Sequence, residues 1–441
     1  MSIEGDVLKA VRPTPAQDKK VAAVVEALSD EVVAEARRLK VHLEPMLVGS
    51  VAKGTHLKDP DIDLFMLFPE STSLEQLRDS GLAIGRKVLN GKEHYAQHPY
   101  VRGNYKGFQV DLVPCFKIRD TKKKMSAVDR TPFHTEFVKK NLKKGMADEV
   151  RLLKRFMKGV NCYGAEAKVE GFSGYLCELL VMRFGTFRQV LEVAKDWKVG
   201  DALHLPGCEG KEFDEPFAFI DPVDSSRNVA SAVSIGTLLR LVMASREYLA
   251  TPDMKFFFPS PVEKWTAAKI RSVAGEKLDN MISVSFQKID LVDDVVYPQL
   301  RKSLLALTSL LEREEFVTEK TSIHVGGRTH LLIELESITL PSEKKHRGPP
   351  VSSENAKEFL TKWNSLGVSK PFAEDGRWYV MTNRKYTRAD VLLKAKISDI
   401  PLGKDVKKLK KYEIESGSKL LSDENLDALT RHLDDRMPWQ R

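Results

Sequence analysis

The residues best suited to chemistry lie in Val48-Gly49-Ser50-Val51-Ala52-Lys53-Gly54-Thr55, followed by Asp61-Ile62-Asp63, and in Phe108-Gln109-Val110-Asp111-Leu112-Val113. Alternate residues of a strand share a face, so Asp61 and Asp63 point the same way, about 7 Å apart. Ile62, Leu64 and Met66 then point toward a core. Two carboxylates at that spacing repel in an apolar interior and become tolerable when a divalent cation bridges them. Hard oxygen donors suit magnesium. If the strand bearing Asp111 lies beside the first, three carboxylates converge. That set serves two-metal phosphoryl or nucleotidyl transfer, in which one ion activates an attacking hydroxyl and the other neutralises the departing pyrophosphate. Gly49 at a strand-to-helix turn lets backbone approach a ligand, and the Ser50 hydroxyl with the N–H groups of the following helix can hold phosphate oxygens. Lys53 adds a cation. Each piece alone is ordinary: Asp-x-Asp often caps a loop, Gly-Ser is a turn, and Asp111 could pair with a lysine. The combination is specific, because no structural requirement calls for all three.

These residues need strands and helices to hold them. Val21, Val24, Val25, Leu28, Val32 and Val33 recur at helical spacing over 16–40. Met46-Leu47-Val48 reads as a short strand, 61–68 as a strand ended by Pro69, 74–89 as a helix, and 107–113 as a strand ended by Pro114. Asp148 is a candidate cap for a helix with the apolar stripe Val150, Leu153, Phe156 and Met157, and Ser173 caps the next. Asp224 or Ser225 is a candidate cap for a long helix over 226–250, which puts Arg227 at a helix start, disfavoured by the dipole unless a ligand or an acid such as Asp224 compensates. Pro252 and Phe258-Pro259-Ser260-Pro261 mark a boundary near 257. Beyond it, 281–289 reads as a strand, 300–312 as a helix, 329–338 as a strand and 341–355 as a polar loop.

The chain has 441 residues, room for about three domains. Apolar residues make up 42% and charged residues 30%, which excludes a disordered tail, a coiled coil, a collagen or a membrane protein. No apolar run is long enough to span a bilayer. Cys115, Cys162, Cys177 and Cys208 form neither a disulfide framework nor a zinc-type pair, so a cytoplasmic setting is expected. The net charge of +8 is unevenly spread. Residues 1–100 carry 13 basic and 15 acidic side chains, 101–160 carry 16 and 6, and 377–411 carry 11 and 3. The first basic stretch includes Lys122, Lys123, Lys124, Lys154 and Lys158. The second includes Lys407, Lys408, Lys410 and Lys411, with Trp378, Tyr379 and Tyr386 interleaved. Two separated basic segments fit a polyanion footprint.

The first stretch resembles the nucleotidyltransferase domain of the polymerase-beta superfamily, and it is most similar to the archaeal, class I CCA-adding enzymes (tRNA nucleotidyltransferases). Further strings carry the resemblance: His98-Pro99-Tyr100, Ser126 to His134, Tyr163-Gly164-Ala165-Glu166, Gly171 to Leu179, Asp221-Pro222-Val223-Asp224, Arg227-Asn228-Val229-Ala230, Tyr297-Pro298-Gln299-Leu300 and Gly376-Arg377-Trp378. The resemblance implies that Asp61, Asp63 and Asp111 are catalytic ligands of two Mg2+ ions. It also implies that Gly49, Ser50 and Lys53 meet the phosphates. By the same carry-over, His134, Lys154 and Tyr163 line the nucleotide pocket, and Arg227 with Asn228 reads the incoming base together with RNA backbone. Position 53 is Lys where Arg is frequent, and position 61 is Asp where Glu is also found; the first departure keeps the charge without the bidentate geometry.

The expected architecture is α/β plus α and multi-domain. A polymerase-beta-like nucleotidyltransferase head spans 1–142, a helical central domain at 143–257 completes the nucleotide pocket, and a mixed α/β C-terminal region at 258–441 binds tRNA. The implied function is template-independent addition and repair of the 3′-terminal CCA of tRNA from CTP and ATP, releasing pyrophosphate. The implied partner is the tRNA acceptor stem and 3′ end, with no membrane and with room for a homodimer. A poly(A) polymerase or oligoadenylate synthetase shares the carboxylate triad, and a catalytically dead RNA-binding relative shares the fold.

Overall fold

In the head, one strand has to satisfy two faces. The computed structural model describes residues 2–95, 99–120 and 125–441, so His98 and Lys122 to Lys124 lie outside the described residues. After α1 (Ile3–Val11) and α2 (Pro15–Arg38) come β1 (Glu44–Val48), α3 (Gly49–Lys53), β2 (Ile62–Phe68), α4 (Leu74–Leu89), β3 (Lys92–Tyr95), β4 (Pro99–Tyr105) and β5 (Phe108–Phe116). The five strands form one sheet in the order β1-β2-β5-β4-β3. Only β2 and β5 run parallel; the other neighbours are antiparallel. Ile62, Leu64, Met66 and Phe68 pack beneath α2 and α4 against Val24, Leu28, Leu77 and Ile84. Each such fully buried aliphatic side chain contributes about 1.5–3 kcal/mol. The alternate set, Phe65 and Leu67, joins Val48, Val113 and Cys115 on the other face. Asp63 belongs to that second face by the same alternation.

Pro114 does not end the strand. β5 continues to Phe116, with Pro114 opposite Met66 in the parallel register. A proline removes one donor but keeps an extended φ, and here its ring fits under Gly81 of α4, where a Cβ would come within 2.5 Å.

The second part of this unit is helical: α5 (Thr131–Asn141), α6 (Met146–Gly159), α7 (Gly174–Phe184), α8 (Phe187–Ala194), the strands β6 (Asp201–Leu203), β7 (Phe217–Asp221) and β8 (Asp224–Asn228), and α9 (Ile235–Ala250). Val150, Leu153, Phe156 and Met157 of α6 are buried as their spacing predicts, in one core with Phe187, Tyr248 and Phe257. Val7 and Val11 of α1 and the distant Trp439 join this core, so α1 packs with the helices although it precedes the head in sequence. Ser173 caps α7 by accepting from Leu176 N at 3.1 Å. Asp148 is not a cap. Gly145 holds that position at φ +89°, and Asp148 in the first turn instead accepts from Arg12 and Arg151, both at 2.9 Å. Nor do Asp224 and Ser225 open a helix. Residues 224–228 form β8, antiparallel to β7, and α9 begins at Ile235 with Ser234 as its cap.

Compact unit 1 comprises Met1–Pro261 with Val292–Asp294 and Arg436–Arg441, and unit 2 comprises Val262–Leu291 and Val295–Asp435. Unit 2 contains α10 (Ala267–Ala274), β9 (Met281–Gln287), α11 (Asp293–Arg313) from Val295 onward, β10 (Thr318–Val325), β11 (Arg328–Leu335), β12 (Glu343–Pro350), α12 (Ala356–Leu366), β13 (Phe372–Glu374), β14 (Arg377–Asn383), α13 (Ala389–Lys396), α14 (Lys404–Lys408), β15 (Glu413–Ser416) and α15 (Leu426–Leu433). A sheet ordered β10-β11-β9-β15 is covered on one face by α11 and α13 and on the other by α10 and α15. A second sheet is ordered β12-β14-β13. The segment expected as a loop is therefore largely β12. Its charged and proline residues suit an edge strand, which hides from composition-based reading. Among the described residues no helix is long and apolar enough to cross a membrane.

Candidate active site

The parallel pairing of β2 with β5 sets Asp63 directly opposite Asp111. Asp61 precedes β2 by one residue, and Val48, the last residue of β1, faces Asp63 on the other side. The chain leaves β1 through Gly49 at φ +70°, where a Cβ would fall 2.1 Å from Asp63 Oδ2. Only glycine supplies both that conformation and that space. Burial, followed by the charges of Asp111 and Asp61, pushes the Asp63 carboxyl up to about 7. Asp61 is also raised, chiefly by burial and further by Asp111, against the pull of Arg102.

Arg102 faces Asp111 across β4 and β5, and its Nε and Nη2 donate to the two carboxylate oxygens at 2.6 Å each. With Asp111 drawn onto Arg102, no group of three or more His, Cys, Asp or Glu among the described residues is gathered as an ion cage. The donor set nonetheless fits a hard divalent cation. Asp63 lies against the recess that Gly49 leaves open, and Asp63 and Asp61 resist ionisation through burial first and then through the charge of neighbouring carboxylates.

The Gly-Ser turn leads to a second charged cluster of opposite character. Ser50 and Lys53 lie on α3, with Thr55 just beyond. Lys53 Nζ donates to Glu178 Oε2 at 2.8 Å. Lys154, on the stripe of α6, is only 2% exposed. Its ammonium donates to Glu178 Oε1 at 3.2 Å and to the Thr55 hydroxyl at 3.1 Å. Burial would raise the Glu178 carboxyl, but Lys154 and Lys53 outweigh it and hold it below the ordinary range.

A third network sits on Asp221, at the end of β7. His134 Nε2 lies 2.8 Å from Asp221 Oδ2, and Arg227 Nη1 donates to the same oxygen at 2.9 Å. The Tyr175 hydroxyl reaches Oδ1 at 3.3 Å. Burial lowers the His134 imidazole, outweighing the pull of Asp221. Arg227 thus finds its acid in Asp221, while Asp224 pairs with Arg130 at 3.4 Å. Asn228 is committed to backbone: its Oδ1 accepts from Phe219 N and Ala230 N, and its Nδ2 donates to Phe217 O, all within 2.8–2.9 Å. Tyr163 bridges to Phe172 and lies under the Lys158 ammonium, 5.1 Å from the ring centre.

Tyr175 joins the second and third networks. Its ring stacks on His134 at 4.2 Å between centroids and lies 5.0 Å from Lys53 Nζ. The structure therefore brings Lys53, Lys154, His134 and Arg227 into one continuous set. Sequence reasoning missed its connecting residues, Thr55, Tyr175, Glu178 and Asp221, and it missed Arg102. A signal existed for Glu178, a lone acid inside Leu176-Cys177-Glu178-Leu179-Leu180.

A mixed sheet that sets aspartates on neighbouring parallel strands beside a Gly-Ser turn defines a nucleotidyltransferase head. Family models agree segment by segment: a nucleotidyltransferase domain matches residues 30–134, the second domain of tRNA nucleotidyltransferase matches 148–258, and the C-terminal domain of CCA-adding enzyme matches 279–417. A CCA-adding enzyme of Methanosarcina barkeri is 40% identical over 91% of this chain and 90% of its own length. Those of Methanosarcina mazei (41%, 91% and 90%) and Thermoplasma volcanium (39%, 92% and 91%) are similar to the same extent. The chain belongs to the CCA-adding enzymes. As a member of that family it is a tRNA nucleotidyltransferase that builds CCA without a nucleic-acid template, using nucleotide substrates and a divalent metal.

Proposed function

We propose that Asp61, Asp63 and Asp111 hold two magnesium ions and that Gly49, Ser50 and Lys53 take the triphosphate of CTP or ATP, with the buried Lys154, whose three protons go to Glu178 and Thr55, adding only its positive charge. His134, Tyr163 and Arg227 then border its sugar and base, with Asn228 fixing the strand that carries Arg227. The ions would lower the pKa of the tRNA 3′-hydroxyl and neutralise the departing pyrophosphate. The hydroxyl oxygen would bond to the α-phosphorus as the bond to pyrophosphate breaks, with the hydroxyl proton passing to solvent water. Asp63 would hold an ion in its ionised form, and Asp111, whose two oxygens accept from Arg102, would offer its remaining lone pairs. Lys53 spends one proton on Glu178 and keeps two for phosphate oxygens. Arg227 spends one donor on Asp221 and offers the rest of its fork to the base and RNA backbone.

The observation that carries this assignment is the register of Asp63 with Asp111. The proposed division keeps a head at 1–142, a pocket-completing central domain at 143–257 and a tRNA-binding region at 258–441. In the last, Lys394, Lys410 and Lys411 border a cleft of about 710 Å3, well suited to phosphate backbone. A cytoplasmic setting is supported by four unpaired cysteines. The test offers CTP alone, ATP alone and both to tRNA that ends at its discriminator base. CTP alone should give C-C, both should give C-C-A, and ATP alone should give nothing. Long A tails from ATP alone would contradict the proposal.

A further inference from the structure

Glu178 is 1% exposed in an otherwise apolar stretch of α7. A carboxylate at that depth is costly unless opposite charges and donors surround it. Here Oε2 takes Lys53 at 2.8 Å, while Oε1 takes Lys154 at 3.2 Å and the Thr55 hydroxyl. The three protons of the Lys154 ammonium meet Glu178, the Thr55 hydroxyl at 3.1 Å and the Thr55 carbonyl at 3.3 Å. Two cations on one anion leave a positive excess beside the Gly-Ser turn. Glu178 is 125 residues from Lys53 and 24 from Lys154, so one carboxylate ties the turn after β1 to both α6 and α7.

We infer that Glu178 is a positioning residue for the nucleotide triphosphate, holding the Lys53 and Lys154 ammonium groups in place, with Thr55 as a brace, before the nucleotide arrives. The inference rests on the assignment of those two lysines to the phosphates. Without the carboxylate the two ammonium groups repel each other, and the incoming nucleotide must order them. That cost falls on nucleotide binding more than on the chemical step.

Glu178→Gln keeps the size but removes the charge and turns one accepting oxygen into an NH2 donor, so at least one of the three accepted hydrogen bonds is lost with it. In steady-state assays it should raise KM for CTP and ATP roughly tenfold, as expected when one charge-assisted hydrogen bond is weakened, leaving KM for tRNA unchanged and kcat within a few fold. Glu178→Asp should recover part of the loss. In a double-mutant cycle, Glu178→Gln and Lys53→Ala should fall short of additive, because they share one interaction. Lys53→Ala and Lys154→Ala should each raise nucleotide KM. If the lysine variants leave it unchanged, the phosphate assignment itself fails. If they raise it while Glu178→Gln does not, or if Glu178→Gln shifts nucleotide and tRNA KM alike, the positioning role is overturned. Should Glu178→Gln not accumulate folded, Thr55→Val removes the brace and keeps all three charges. It should still raise nucleotide KM at constant tRNA KM, and an unchanged value overturns the inference.

Discussion

The carboxylate cluster and the lysine cluster flank the same Gly-Ser turn and solve opposite electrostatic problems. At Asp61, Asp63 and Asp111, like charges are crowded together, and Arg102 meets Asp111 alone at bonding distance. Two of the three acids are pushed upward. At Glu178 the balance is reversed: one buried acid is ringed by two lysines and a hydroxyl and is held down. The second cluster is assembled in advance, whereas the first is short of positive charge. The difference supports the partner proposed for each. A surplus of negative oxygen suits a divalent cation, and a surplus of ammonium suits a triphosphate.

The largest effect should come from breaking the acid side. Asp63→Ala or Asp111→Ala should lower nucleotide incorporation by about a thousandfold or more, since metal-borne stabilisation of transition-state charge is lost. Filter binding should find tRNA affinity nearly unchanged; equal losses in both assays would make the two aspartates structural. Next in size is the basic tail. Replacing Lys407, Lys408, Lys410 and Lys411 together by Gln should weaken tRNA binding about tenfold and flatten its salt dependence by up to about 0.9 for each phosphate no longer neutralised. An unchanged slope would mark those lysines as merely solvated.

Smaller effects sharpen the contrast. Because Asp63 is raised to about 7 from an ordinary value of 3.8, the folded state holds its proton more tightly than the unfolded chain. Its contribution to stability is therefore intact below about pH 4 and is lost as pH rises toward 7. In the presence of a chelator, Asp63→Asn should raise Tm by a few degrees at pH 8 and change it little at pH 4, with activity abolished. A uniform shift at both values would remove charge crowding as the cause. Arg102→Ala should do the reverse, lowering Tm with chelator present and regaining part of it with magnesium. Equal loss in both conditions would reduce Arg102 to a packing residue.

Much of the acid cluster was legible because it is local. Strand alternation alone puts Ile62, Leu64 and Met66 in the core and Asp63 opposite them, as found. Helix α4 spans the residues its periodicity indicates, and Ser173 caps α7. What sequence could not supply was register between segments. That Arg102 meets Asp111 follows from how β4 pairs with β5, and that Glu178 meets Lys53 follows from packing across 125 residues. Local chemistry also misleads. Asp224 reads as a helix cap because acids favour that position, but the amide of Asn228 pins the chain as a hairpin strand. Arg227 therefore owes its partner to β7, not to a helix end. Lys154 is buried on the helix stripe that periodicity would assign to apolar residues, and only Glu178 and Thr55 explain it there.

The central claim is that the three aspartates need a divalent cation to complete the site. Its most direct test follows radiolabelled CMP incorporation into tRNA lacking CCA, first in EDTA and then as magnesium is restored, for the wild type beside Asp63→Ala. Incorporation should be absent in EDTA, return with magnesium in the wild type, and stay absent in Asp63→Ala at any magnesium concentration. Incorporation that persisted in EDTA, or that magnesium restored without Asp63, would contradict the account.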